Sequence, residues 1–346
     1  MLNQNKIRSQ YHPKNERMKY KYRQHLARIG QRDEKTIRAS IKHIRDFEIY
    51  TKFEGFEKFN EHTADKYIKS ILSKDFSLSH IDNNLRSLND FFKWLERQKG
   101  YKNKISYNHI EYLSLSKNQR RTAKSSSYKQ AYKFDQILAA IRQMPEKTNM
   151  EKRDKALISL QALCTLRISE LRTIKISNII QEDNVYFAYV TPKNMQVKFS
   201  KTRMVVFVPL GDDIQNNVIA WIDHLRSLGF GDSDPLFPRI DNRFGQGNFL
   251  EQSIAKAEIK SDSTIRNIFK KTFESAGQKY IRPHSFRTTL SRFAQNQTPA
   301  FLNAVRQNLG HSSIDTTLSS YGQLSEADQR DVISKTSISI PVAIEG

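Results

Sequence analysis

Apolar residues in the first hundred positions recur at spacings of three and four, with lysine and arginine between them, and this period predicts amphipathic helices. One helix is predicted from Asp33 to Tyr50, a second beginning at Thr63 as its N-cap, and a third, "SHIDNNLRSLNDFFKWLERQKG", ending at Gly100. The segment "NERMKYKYRQHLARIG" is predicted to add a basic helix before them. The N-terminal part of the chain is therefore predicted to be a small helical domain.

The pattern changes twice in the rest of the chain. "FDQILAAIRQM" and "EKRDKALISLQALCTLRISELRTI" predict helices, and the β-rich runs "NVYFAYVT", "MQVKF" and "MVVFVPL" after them predict a small antiparallel sheet. Helices resume at "DDIQNNVIAWIDHLRSLG" and continue to the end, interrupted by a loop, "GDSDPLFPRIDNRFGQG". The predicted fold is mainly α, with one small antiparallel β-sheet in the C-terminal domain.

The segment "SKNQRRTAKSSSYKQAYK" has no apolar period and is rich in serine and basic residues, which is typical of a linker between domains. The sequence therefore predicts a helical N-terminal domain over residues 1–115, a basic linker over 116–131 and a second domain over 132–346. The linker could be a solvated tether or a segment that follows DNA, and these two interpretations are compatible.

The charge of the chain indicates a polyanionic partner. There are 57 Lys and Arg against 36 Asp and Glu, a net charge of +21 and a pI near 9.8. Nucleic acid is the expected partner, because lysine and arginine that neutralise phosphates release bound counterions. A membrane surface is the alternative, but the basic residues are spread over globular segments and do not form an amphipathic anchor. Because there is no run of about 18 apolar residues and no apolar N-terminal stretch, we expect a cytoplasmic protein, nucleoid-associated when bound to DNA.

Four separated stretches carry candidate chemistry. They contain Arg167 and Glu170 in "TLRISELRTI", Lys201 in "FSKTRMVVFVPL", His284 and Arg287 in "RPHSFRTTLSRFA", and His311 and Tyr321 in "LGHSSIDTTLSSY". Each alone has an ordinary structural explanation, since an arginine three residues before a glutamate is usually a surface pair and a hairpin lysine is usually solvated. No Cys/His cluster has the spacing of zinc ligands, and the lone Cys164 is expected to be a small buried residue.

Together the four stretches resemble the tyrosine recombinase, or phage integrase, family of site-specific DNA recombinases. The arginine of "LRISEL", a hairpin lysine eight residues before Pro209, an "H-x-x-R" pair, and "L-G-H" followed ten residues later by tyrosine match the family's motifs in order. The segments "DEKTIRASIKHIRDFEIYT" and "LRSLNDFFKWL" are similar to the family's N-terminal, SAM-like core-binding domain. The resemblance extends from about Asn15 to Tyr321.

Two positions depart from the family's pattern. Thr165 stands two residues before Arg167, where the family usually has glycine, and Thr288 follows Arg287, where a histidine is common. Neither departure replaces a residue of the implied active site. Thr165 is expected to shift the backbone that presents Arg167 and so to lower activity.

The resemblance implies that Tyr321 is a nucleophile that attacks a DNA phosphate. A phenol with an ordinary pKa of about 10 is a poor nucleophile at neutral pH, and a phosphodiester repels anions. The reaction therefore requires positive charge at the phosphate and groups that control the transfer of protons. The other implied roles are phosphate binding by Arg167, Arg287 and His311, general acid catalysis by Lys201, proton transfer by His284, and support of Arg167 or His284 by Glu170. Lys193 and Lys198 lie on the same predicted sheet and could take the place of Lys201.

The implied product is a 3′-phosphotyrosyl DNA with a free 5′ hydroxyl, which attacks a partner strand to rejoin it. The bond energy stays in the phosphotyrosine, so the resemblance implies no cofactor, no ATP and no metal, and the candidate residues are not the clustered carboxylates of two-metal sites. The implied partners are double-stranded DNA with an inverted-repeat core site, a homotetramer on two duplexes and, in some systems, accessory DNA-bending proteins. The implied role is integration or excision of a mobile element, or a related DNA rearrangement.

Two other functions stay open at this stage, and so does the packing of the C-terminal segment. A type IB topoisomerase uses similar residues on one duplex, and a DNA-binding protein could keep this fold as an architectural module. The core-binding domain favours recombination over relaxation, and the complete residue set favours catalysis. The apolar terminal segment "TSISIPVAIEG" could pack on its own subunit or on a neighbouring protomer.

Overall fold

The computed structural model describes residues 11–124, 130–197, 201–244 and 250–310. The chain divides into two compact units between Ser125 and Ser126. The prediction of a mainly α fold with a small antiparallel sheet in the C-terminal domain is confirmed, and the structure adds a second sheet of two strands. No helix within the described ranges is long and apolar enough to cross a membrane.

The N-terminal unit is helical throughout its regular structure. Its helices are α1 (Pro13–Arg28), α2 (Glu34–Tyr50), α3 (Glu61–Leu72), α4 (Leu78–Glu96), α5 (Tyr107–Glu111) and α6 (Lys117–Lys124). The apolar stripe of α4 forms the centre of the core, where the ring of Phe92 stacks on that of Phe59 with centroids 3.9 Å apart. The predicted period is therefore the one that buries this core.

Two predicted helix boundaries in this unit are wrong. The N-cap of α3 is Asn60, whose side-chain Oδ1 accepts the backbone N–H of Thr63 at 2.9 Å. Asn60 and Thr63 are both residue types that cap helices, so composition alone does not separate them. Helix α4 ends at Glu96, and Gly100 lies in the following turn with φ +90°.

The segment predicted as a linker begins with a helix. Residues 117–124 form α6, which packs on α4, and the Ser79 hydroxyl donates a 2.9 Å hydrogen bond to the carbonyl of Ala123. Contact with a neighbouring helix stabilises this basic segment, although it shows no apolar period of its own. This helix belongs to the N-terminal unit.

The C-terminal unit combines helices with two small sheets. Its elements are α7 (Phe134–Arg142), α8 (Asn149–Cys164), α9 (Ile168–Thr173), β1 (Ile179–Glu182), β2 (Val185–Val190), β3 (Arg203–Val206), α10 (Asp212–Ser227), β4 (Pro238–Phe244), β5 (Leu250–Glu258), α11 (Asp262–Ser275), α12 (Ser285–Gln295) and α13 (Pro299–Leu309). Strands β1, β2 and β3 are antiparallel neighbours in that order, and β4 pairs with β5. The core surrounds α8, whose C-terminal half is buried on every side, including Cys164 as predicted.

The strand predictions are partly wrong. Strand β1 was not predicted, and the described residues of "MQVKF", 195–197, form no strand. The predicted loop around "PRIDNRF" is instead strand β4, paired with β5 from Arg239 to Phe244 after a register shift at Pro238. The sequence did not indicate these two strands, because apolar and polar residues alternate only weakly along them and the glycines of "FGQGN" are typical of loops.

Candidate active site

Arg167 is presented by a break between two helices that the sequence predicted to be continuous. Helix α8 ends at Cys164, Thr165 turns the backbone into the left-handed region at φ +46°, and Arg167 is the N-cap of α9 with an extended backbone. The side-chain amide of Gln161 donates to the carbonyl of Leu166 at 3.0 Å and fixes this turn from inside the core. The break therefore carries the Arg167 side chain away from α8.

Thr165 stands at a position where the backbone conformation favours glycine. A β-branched residue at positive φ is strained, because its Cβ lies too close to the following carbonyl. The threonine is 1% exposed, and its hydroxyl oxygen is buried without a hydrogen-bond partner in the described structure. The left-handed turn thus forms with threonine in place, at a cost in stability.

We predict that Thr165→Gly raises the free energy of unfolding of the chain by up to about 1 kcal/mol. Relief of backbone strain and loss of the buried hydroxyl together stabilise by roughly 2–3 kcal/mol, while a lost buried methyl and the greater unfolded-state freedom of glycine offset about 2 kcal/mol. Urea denaturation of the two proteins measures the difference. Thr165→Ala is the matched control, because it removes the hydroxyl but keeps the strained Cβ; a glycine variant less stable than the alanine variant would contradict the prediction.

Glu170 is a fully buried carboxylate that holds two arginines. Its Oε2 accepts the backbone N–H of Arg167 at 2.8 Å, and its Oε1 accepts the Arg167 guanidinium at 3.1 Å. Arg203 binds both oxygens, with Nη1 at 3.0 Å from Oε1 and Nη2 at 2.7 Å from Oε2. Burial raises the pKa of the Glu170 carboxyl, but the hydrogen bonds and charges of Arg203 and then Arg167 outweigh it, so this pKa lies below its ordinary value. Glu170 is therefore a carboxylate at neutral pH and supports Arg167 directly.

Arg203 is a residue of this cluster that the sequence did not reveal. It begins β3, two residues after Lys201, and its Nε also donates to the main-chain carbonyl of Asn308 at 3.1 Å. The Asn308 side-chain amide in turn bonds both the N–H and the carbonyl of Val206, at 3.1 and 2.9 Å. The start of β3, the Glu170 carboxylate and the end of α13 are thereby joined through one guanidinium. The partners lie 33 and 105 residues away in sequence, so no local spacing could have indicated them.

Steric contacts in this structure explain why glycine occupies position 310, in the "LGH" motif. Gly310 follows α13 in the left-handed region at φ +67°. A Cβ at this position would lie 3.1 Å from Cδ of Arg203. Both the backbone conformation and the close approach of Arg203 therefore favour glycine immediately before His311.

Arg287 lies on α12 and is fully buried. Its Nη1 donates to the carbonyl of Thr165 at 2.8 Å, and its Nη2 donates to the carbonyl of Leu309 at 2.5 Å. The last carbonyls of a helix have no partner within the helix and carry its negative dipole end, so a cation satisfies them well. Arg287 thus joins the turn before Arg167 to the end of α13.

The other predicted site residues are exposed or lie outside the described residues. Lys201 is exposed in the connection between β2 and β3, and Lys193 is exposed in the same connection. His284 is exposed at the N-cap of α12, one turn before Arg287. His311 and Tyr321, and the alternative Lys198, lie outside the described residues.

The arrangement of described residues is a cluster of cations organised around one buried carboxylate. Arg167 and Arg203 bind Glu170, and Arg287 binds the carbonyls of Thr165 and Leu309, so these residues together retain net positive charge. Such a cluster can bind an anion with oxygen acceptors, such as a phosphate. In the described part of the chain, no three His, Cys, Asp or Glu side chains come together as a metal site would require.

Comparisons with known proteins give a consistent result. A family model described as "Phage integrase family" matches residues 130–328. A tyrosine recombinase of Agathobacter rectalis is 25% identical over 307 residues, which cover 87% of this chain and 90% of that protein. Tyrosine recombinase XerC of Staphylococcus aureus is 25% identical over 183 residues, so the chain spans about half (53%) of the length of that relative.

Two solved structures share the fold over most of their length. XerH site-specific recombinase, bound to a palindromic difH substrate in a post-cleavage complex, has a TM-score of 0.63 at 18% identity, covering 86% of this chain and 79% of that one. A lambda integrase dimer bound to a COC′ core site has a TM-score of 0.61 at 15% identity, covering 95% of this chain and 99% of that one. At these identities the likeness shows the fold alone.

Proposed function

The chain belongs to the phage integrase family, and from this premise we propose that it is a site-specific tyrosine recombinase that cuts and rejoins DNA through a covalent 3′-phosphotyrosine. The observation that supports this most is the buried Glu170, which holds Arg167, the first arginine of the motif set, in a cluster with Arg203. An anion-binding cluster at that position is what attack on a phosphodiester requires.

In the proposed reaction the phenol oxygen of Tyr321 attacks the phosphorus, and the bond from phosphorus to the 5′ oxygen breaks. Arg167 neutralises the charge that develops on the nonbridging oxygens, and its bond to Glu170 holds it in one orientation. Lys201 gives a proton to the departing 5′ oxygen, and its exposed place in the β2–β3 connection leaves it able to reach DNA. His284 transfers protons around the tyrosine or the phosphate, and His311 donates a hydrogen bond to the same phosphate.

We propose that Arg287 acts differently before and after DNA binds. Because its side chain is 0% exposed, a phosphate oxygen can reach its guanidinium only after a neighbouring group moves. Before that movement, its bonds to the carbonyls of Thr165 and Leu309 hold together the segments that precede Arg167 and His311. DNA binding would then exchange a carbonyl for a phosphate oxygen, which is a stronger, charge-assisted acceptor.

The proposed partner is double-stranded DNA with an inverted-repeat core site, bound by a homotetramer on two duplexes in the cytoplasm, with accessory DNA-bending proteins in some reactions. The charge of +21 supports a DNA partner, because counterion release strengthens binding of a basic protein to a duplex. Integration or excision of a mobile element is the proposed role, and the apolar C-terminal segment is proposed to link neighbouring protomers.

The test is to capture DNA that becomes covalently linked to the protein. The chain is incubated with genomic DNA of its source organism in a buffer with EDTA, denatured, and the protein-linked fragments are sequenced. We expect enrichment of one short inverted-repeat site, without a requirement for metal or ATP. Linked DNA no more abundant than in a sample denatured at time zero would overturn the proposal, and linkage spread evenly over the genome would favour a relaxing topoisomerase.

A further inference from the structure

The side chains that meet at Glu170 carry more positive than negative charge. One carboxylate faces the guanidinium groups of Arg167 and Arg203, so this triad keeps one net positive charge. The Glu170 side chain is 0% exposed, that of Arg203 is 8% exposed and that of Arg167 is 21% exposed. The arginine nearest to solvent is therefore the one that the motif assigns to the phosphate.

Arg203 is the stronger of the two partners of Glu170. It binds both carboxylate oxygens, at 2.7 and 3.0 Å, whereas the Arg167 guanidinium makes one bond, at 3.1 Å. Two parallel bonds between a guanidinium and a carboxylate are the strongest form of this pair. Arg203 thus supplies most of the countercharge that a buried carboxylate requires.

Removal of Arg203 would change the electrostatics of Arg167. Among the described residues, Glu170 would then keep the Arg167 guanidinium as its one side-chain cation, and the pair would have no net charge. An uncompensated buried carboxylate would also draw that guanidinium inward, away from solvent. Both effects weaken the attraction of Arg167 for an anion.

We propose that Arg203 is a positioning residue: it neutralises Glu170, so that Arg167 remains oriented by this carboxylate yet keeps its positive charge for the phosphate of the substrate. The proposal rests on the proposed function for the identity of the anion. It explains why a residue with no place in the motif set is bonded at three points, to both oxygens of Glu170 and to the carbonyl of Asn308.

The decisive comparison is between Arg203→Met and the double variant Arg203→Met with Glu170→Gln. The single variant removes one positive charge from the triad, and the double variant also removes the negative charge, which restores the net charge of the wild type. Between proteins that are equally folded, a merely structural Arg203 predicts that the second substitution in the buried cluster leaves phosphate binding the same or lowers it further. Partial rescue by Glu170→Gln is therefore specific to the charge balance.

We measure binding of inorganic phosphate to the full-length chain labelled with ¹⁵N-arginine, following the side-chain NMR signal that is lost in Arg167→Met. Arg203→Met should raise the phosphate concentration for half of the shift by about tenfold, and the double variant should recover most of that loss. Arg239→Met is the matched control, because Arg239 pairs with Asp241 on β4, and its replacement should leave the shift unchanged. Cleavage of a supplied core-site DNA by the same variants should follow the same order.

Arg203→Lys keeps the charge and protects the test against misfolding of the methionine variant. Lysine cannot reproduce the two parallel bonds of Arg203 to Glu170. Because the triad keeps its net charge, this variant should still bind phosphate more tightly than Arg203→Met, within about threefold of the wild type. A double variant no better than Arg203→Met, or a folded Arg203→Lys that loses phosphate affinity as strongly as Arg203→Met is expected to, would overturn the proposal. If the wild type never cleaves DNA while phosphate binding follows the expected order, the proposed function fails and the role of Arg203 stands.

Discussion

Replacing Tyr321 by phenylalanine is expected to abolish covalent linkage of the chain to DNA, by at least about 10⁴-fold, while DNA binding is retained. The proposed step forms a bond between the phenol oxygen and phosphorus, releases the 5′ oxygen and passes the phenol proton to the protein. Phenylalanine keeps the ring but has no oxygen, so no covalent product can form. Because binding draws on many lysines and arginines, the loss of one uncharged hydroxyl should leave affinity unchanged.

The measurement is a denaturing gel with a labelled duplex that contains the captured site, and a native gel with the same duplex reports binding. Tyr189→Phe is the matched control, because Tyr189 is an exposed tyrosine on β2 in the same unit. It should form covalent product at the rate of the wild type. Covalent product from the Tyr321 variant at the wild-type rate would assign the attack to another residue, and equal absence from all three proteins would favour an architectural role.

The helices that bury one apolar stripe were predictable from the spacing of their apolar residues. Helix α2 places Ile37, Ile44 and Phe47 in its unit's core, at the spacing that the sequence shows. Helix α8 was predicted too long, because its apolar residues continue past Cys164 and the break depends on a left-handed turn at a threonine. Threonine disfavours the left-handed conformation, so the tertiary structure sets it, and the pattern of apolar residues in the sequence cannot reveal it.

The candidate site was predictable to the extent that it follows a motif. Arg167 and Glu170 are in contact, as their spacing of three on a helix and the resemblance both indicate. The links that Arg203 and Asn308 make across the unit were not predictable, because each depends on how β3 and α13 pack together. Long-range contacts of this kind leave no periodic trace in a single sequence.

The end of α13 shows how these links combine. Two consecutive carbonyls, of Asn308 and Leu309, accept hydrogen bonds from Arg203 and Arg287. Two arginines on separate elements thus satisfy the end of one helix, immediately before the segment that begins with His311. The cations of the site are therefore also the groups that fix where this segment starts, so substitutions of either arginine should affect both charge and geometry.

Lys201→Ala is expected to slow cleavage of ordinary DNA by about 10²–10³-fold, and to slow cleavage of DNA with a 5′-bridging sulfur by less than about threefold. An alkoxide is a poor leaving group and requires a proton in the transition state. A thiolate leaves without one, because the pKa of a thiol, near 8.5 in cysteine, is several units below that of an alcohol. A residue that acts only as general acid should therefore lose its importance when sulfur replaces the leaving oxygen.

Lys193→Ala and Lys198→Ala are the matched controls, because both lysines lie in the segment between β2 and β3 and carry the same charge. Single-turnover rates on the two substrates give one ratio for each variant, and this ratio separates loss of the acid from a general loss of binding or folding. Equal slowing of Lys201→Ala on both substrates would exclude Lys201 as the acid. A variant that cleaves ordinary DNA slowly but the sulfur substrate at a normal rate has lost the general acid. If Lys193→Ala or Lys198→Ala behaves in this way, that lysine is the acid.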